Sequence, residues 1–78
     1  MPIEFKKNTA VFINVVEVQE AEDLLQWLQK KSNTKLDLLN CTHLHPANLQ
    51  VIMAAKAKVI HWPLDAIFAD WLKSAIKY

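Results

Sequence analysis

Cys41, His43, His45 and His61 are the residues of this 78-residue chain whose types and spacing could do chemistry. Thiolate and imidazole are zinc ligands. In an extended strand, residues 41, 43 and 45 share parity, so all three would point to one face. His61 ends a second strand-like run, "KVIHW", which would lie beside them. The same side chains offer a second chemistry, with Cys41 as nucleophile and His43 or His61 as base. Against both stands Pro46, directly after His45. Proline is favoured at the first position of a helix, so His45 leaves the extended run to serve as the cap-side residue. No carboxylate lies close in sequence to orient the histidines from behind. A cysteine inside an apolar strand is ordinarily an inert core residue. Without a single glycine, no tight turn is available to build an oxyanion hole. The residues therefore point to no catalytic group, no metal and no cofactor. A small-molecule or metal-binding domain on Cys41, His43, His45 and His61 is the alternative.

The elements that position these residues follow from the hydrophobic period. "IEFK" (3–6) alternates, "KKNT" turns at Asn8, and "AVFINVV" (10–16) is β-branched and aromatic, which predicts a hairpin. Over 17–31 the period changes to a helix, with Ala21, Leu24, Leu25 and Leu28 on one face. Acids lead that helix and lysines end it, as the macrodipole favours. Asn33 stands where a glycine usually reverses the chain. "KLDLLNC" (35–41) reads as a strand buried on both faces. Its Asp37 is expected to make a structural hydrogen bond near a helix terminus. Residues 45–56 form a helix led by Pro46, with Leu49, Ile52 and Met53 toward the core. Residues 58–62 form a strand broken by Pro63. The last helix, 64–77, carries Leu64, Ile67, Phe68, Trp71, Leu72, Ala75 and Ile76 as one apolar stripe. Trp71 is expected in the core; Trp27, at the edge of its helix's stripe, and Trp62, at a strand end, are also read as core residues, with a partner-binding anchor as the alternative.

The order is β-β-α-β-α-β-α. It predicts an α/β fold, a mixed four-stranded sheet with three helices packed mainly on one face, in a single domain over 1–78. A 53% hydrophobic composition suits a packed core rather than a disordered chain. The absence of glycine excludes the loops that cradle phosphate in Walker and dinucleotide motifs. All nine basic residues are lysines, and the net charge is +1. Lacking arginine, the usual reader of phosphates and base edges, the chain is not expected to bind nucleic acid. The lysines at 30, 31, 35, 56 and 58 read as a solvated rim. No apolar run reaches the roughly 20 residues of a membrane span, and no signal-peptide stretch leads the chain. One cysteine allows no internal disulfide, so a cytoplasmic protein is the expectation.

Residues 36–49, "LDLLNCTHLHPANL", resemble the signature of STAS domains, the anti-sigma-factor-antagonist family. There a strand of the type L-D-L-S-x-[VC]-x-x-[IL] runs into D-S-x-G-L at a helix start. "LDL" at 36–38 falls on the strand, and "NL" at 48–49 falls on the G-L. "EVQEAEDLLQWL" is similar to the family's first helix, and the element order agrees over most of the chain, which is abbreviated at its ends. The resemblance implies a non-catalytic protein-interaction module in bacterial signalling, anti-sigma-factor-antagonist-like or chemotaxis-associated. The implied partner is a signalling regulator or kinase-like protein. The family's phosphoacceptor serine falls on Pro46, which has no hydroxyl, so the phosphorylation switch is not expected at that position. Ala47 cannot accept phosphate either, and nothing marks Thr42 or Ser32 as substrates. The implied docking surface is the joint itself, with His45, Ala47, Asn48, Gln50 and Val51 as exposed, partner-binding candidates. A homodimer on the uncovered sheet face is a further possibility.

Overall fold

A computed structural model describes residues 2–77. Strands β1 (Ile3–Phe5) and β2 (Thr9–Val16) pair antiparallel. The Lys6 N–H donates to the Thr9 carbonyl at 2.8 Å and closes the turn between them. A short 3-10 turn, Val18–Glu20, leads into α1 (Ala21–Lys30). The Glu20 side chain reaches back to the Glu17 N–H at 3.1 Å and satisfies a donor that the helix start would leave unpaired. Then come β3 (Lys35–Leu44), α2 (Pro46–Ala55), β4 (Lys58–His61) and α3 (Ala66–Ala75). The sheet order is β1-β2-β3-β4, with β2, β3 and β4 parallel. The β-β-α-β-α-β-α order and the mixed four-stranded sheet agree with the sequence reading.

Both parallel crossovers step in the same direction across the sheet. Right-handedness therefore puts α1 and α2 on the same face, where they touch each other. Phe12, Leu36 and Leu38 from the sheet meet Leu24, Ile52 and Leu72 from the three helices, all without solvent exposure. Phe5 and Trp27 close the hairpin side of this core, with ring centroids 5.3 Å apart. Trp62 packs at the opposite margin beneath the Lys73 ammonium, 5.6 Å from its ring.

Several expectations change. β3 is not buried on both faces. Leu36, Leu38, Cys41 and Leu44 are buried, whereas Leu39 is 38% exposed and Asn40 is open to solvent. The burial spacing widens from two residues to three because β3 bulges twice against β2. Val11 and Ile13 pair with Asp37 and Asn40, and Asn14 and Val15 pair with Cys41 and His43. Each bulge adds one residue and flips the alternation of faces. Asp37 does not reach a helix terminus. Its carboxylate accepts from the Leu39 N–H at 3.1 Å, within the first bulge.

Without glycine, the chain places other residues in the left-handed region. Asn33 turns the loop before β3 (φ 56°), as expected. Lys56 ends α2 in the same conformation (φ 53°), its N–H shared by the carbonyls of Ile52 and Met53. Asn14 (φ 58°) bends β2 opposite the second bulge of β3.

The apolar stripe expected on the last helix is divided. Asp65 caps α3 by accepting from the Phe68 N–H at 3.0 Å. Ala69 and Leu72 turn inward, while Leu64, Ile67 and Trp71 are 76%, 84% and 51% exposed. Trp71 is thus a surface residue, stacked on Phe68 rather than set in the core. Met53, expected in the core, is 41% exposed.

Candidate functional site

The joint between β3 and α2 is built as its residue types dictate. The His45 N–H donates to the Val16 carbonyl at 2.9 Å, which fastens the end of β3 to β2. Its ring then turns onto the helix, and Nδ1 accepts from the Ala47 N–H at 3.0 Å. This is an N-cap in which an imidazole does the work of the usual short polar side chain. Pro46 occupies the first helical position, where a missing N–H costs nothing.

The joint separates the residues that share parity in sequence. Cys41 is buried on the helix-covered side, and its Sγ donates to the His43 carbonyl at 3.4 Å. His43 is exposed, His45 is half-buried and engaged as a cap, and His61 is exposed on β4 in register with Asp37. The second bulge lies between Cys41 and His43, so they no longer share a face. Among the described residues, no three His, Cys, Asp or Glu side chains converge as a metal site would require. Burial pushes the Cys41 thiol up from 9.0 to about 11, the opposite of an activated nucleophile.

That shift has two measurable consequences. At pH 8, iodoacetamide should alkylate native Cys41 about 100-fold more slowly than the urea-unfolded chain, because the thiolate fraction falls by that factor and burial slows access further. Between pH 9 and about 11 the native thiol keeps its proton while the unfolded one has lost it. The native state then binds more protons, so stability should fall as pH rises through that window. A Cys41→Ala variant should lose this part of the alkaline slope. Equal alkylation rates in the native and unfolded states would show that the thiol is open.

Of the five docking candidates, the structure gathers three into one depression. Ala47, Gln50 and Val51 of α2 face Ala21, Glu22 and Leu25 of α1 across a groove of about 540 Å³ that Ala54 completes. Small side chains on both helices make the depression, and Leu25, 37% exposed, supplies its largest apolar surface. The α1 wall was not among the candidates. Its signal in the sequence is Ala21 and Leu25 at i, i+4, matching Ala47 and Val51 at the same spacing. His45 stands at the mouth of the helix rather than in the groove.

Asn48 is a correction. It is not exposed at all. Its Nδ2 donates to the Glu17 carbonyl at 2.7 Å, across 31 residues of sequence, and so ties α2 to the chain entering α1. Its Oδ1 is buried with no partner among the described residues. Asn48 therefore shapes the groove and is not part of its surface.

No protein-family model matches the chain, and a comparison with curated proteins finds no match.

Proposed function

We propose that this chain is a non-catalytic protein-interaction module that docks a partner in the groove between α1 and α2. The observation that carries the reading is the groove itself. An apolar, small-residue depression opens beside the β3–α2 joint, and it contains Ala47, Gln50 and Val51. In the STAS resemblance this is the recognition region, which makes a signalling regulator or kinase-like protein the partner. The bacterial anti-sigma or chemotaxis setting comes from that resemblance alone. Pro46 at the start of α2 leaves no hydroxyl for a phosphorylation switch there. Docking is then constitutive at this position, governed by shape and by the charge of the groove rim at Glu22. Among the described residues no helix is long and apolar enough to cross a membrane.

The test is retention of a partner from the source organism's lysate by wild type and by Ala47→Glu. Ala47 is half-buried at the groove in the first turn of α2, where a carboxylate is favoured by the helix dipole, so the variant keeps its fold. A signalling protein held by wild type and lost at least tenfold with Ala47→Glu is the expected result. Equal retention by both forms would remove the groove from consideration.

A second reading has its own observation. Leu64, Ile67 and Trp71 form an exposed apolar stripe, and Leu64 shares a depression with Leu39 on the uncovered sheet face, the kind of surface that marks an interaction site. A homodimer through that surface is the natural alternative, and light scattering on the purified protein decides it.

A further inference from the structure

At the end of the molecule opposite the joint, the strands of the parallel sheet begin and α1 and α2 end. Seven of the nine lysines lie at the helix ends, turns and strand starts there, all except Lys73 and Lys77. Lys31, Lys35, Lys56 and Lys58 line a single cleft of about 630 Å³, floored by the polar loop Ser32–Thr34. That volume lies within the roughly 300–1,000 Å³ of small-ligand sites.

The helix dipoles account for part of this charge. Lysines at helix C-termini complement the partial negative charge there, which covers Lys31 and Lys56. It does not cover Lys35 and Lys58. These two are direct partners in the β3–β4 register, on strands about 4.8 Å apart. Like charges directly opposed across strands are destabilising. No acid offsets them. The chain has no Asp or Glu between Asp23 and Asp37, or between Asp37 and Asp65. Asp37 itself is turned up the strand to the Leu39 N–H. Among the described residues, none of the four lysines has an ion-pair partner.

The loop adds donors. Among the described residues, the N–H groups of Ser32, Asn33 and Thr34 make no backbone hydrogen bond, and Asn33 is left-handed. A left-handed residue in a tight loop is the setting in which successive N–H groups converge on an anion. Four ammonium groups, two hydroxyls and unengaged amides around one cleft are complementary to a compact, multiply charged phosphate ester or polyphosphate. Lysine binds phosphate as a point charge, so neither arginine nor a glycine cradle is needed.

We infer that the Lys31–Lys35–Lys56–Lys58 cleft is a binding site for a small polyphosphate anion, separate from the docking groove. The experiment is calorimetric titration of the full chain with inorganic tripolyphosphate at low salt. Wild type should bind one equivalent saturably. The Lys35→Gln/Lys58→Gln double variant should bind at least tenfold more weakly. Lys73→Gln/Lys77→Gln, which removes the same net charge elsewhere, should lose less than threefold. Neutralising the opposed pair should leave the melting temperature unchanged or higher, so weaker binding would not report unfolding. In wild type alone, tripolyphosphate should shift the amide resonances of residues 31–35 and 56–58. Absence of saturable binding, or equal loss in both double variants, would overturn the site in favour of diffuse attraction. Retention on phosphoinositide vesicles that tripolyphosphate cannot compete away would overturn it in favour of a lipid surface.

Discussion

Asn48→Asp should lower the unfolding free energy by about 3 kcal/mol at neutral pH, measured by urea denaturation. The substitution is nearly isosteric, but it replaces the Nδ2 donor with an acceptor facing the Glu17 carbonyl at 2.7 Å. A buried carbonyl then loses its partner, which costs about 1–3 kcal/mol, and more when the group left unsatisfied is charged. The site has no solvent access to relieve the charge. Protonation offers another relief, because a neutral carboxyl can donate to the carbonyl again. The carboxyl's folded pKa should therefore lie above its unfolded value. Part of the deficit should disappear below the unfolded value and return as pH rises through the folded one. Asn48→Ala should be destabilising as well, without this pH dependence. A loss below about 0.5 kcal/mol in Asn48→Asp would mean that the tie between α2 and the start of α1 is not formed. The groove between those helices would then lack its fixed width, so the result bears on function as well as on the fold.

Leu72→Ala and Trp71→Ala form the second test, because they are neighbours in sequence with opposite expectations. Leu72 is fully buried and is α3's anchor in the common core. Removing its side chain should cost about 3 kcal/mol, within the range for leucine-to-alanine cavities. Trp71 is the larger residue, yet it is 51% exposed and stacks on Phe68. Its truncation should cost less than about 1 kcal/mol. If the order is reversed, α3 is rotated from the orientation described, and its exposed stripe belongs to the core.

The sequence by itself determined the order of elements and the construction of the joint. Both rest on local physics. Pro46 cannot sit inside a strand or mid-helix, so the helix must begin there. The residue before it must be extended, which makes His45 the cap. The change from β-branched alternation at 10–16 to leucines at helical spacing in 21–28 is a local signal of the same kind. The β-β-α-β-α-β-α order then leaves few sheet topologies open, because crossovers are right-handed.

Only the tertiary structure decided which faces these elements show. Two bulges in β3 flip its alternation, and a bulge depends on the register with β2, which no single strand encodes. That is why Cys41 and His43 part company although they stand two residues apart. α3 is apolar over too much of its circumference for its pattern to choose the buried side. The packing of Leu72 into the core made that choice and left Leu64, Ile67 and Trp71 outside. Asn48 looked like a surface polar residue because its partner, the Glu17 carbonyl, lies 31 residues away. The four lysines of the cleft lie on separate turns, and as a linear pattern they read as a solvated rim. They become one site only because parallel pairing sets the start of β3 beside the start of β4, with the ends of α1 and α2 above them.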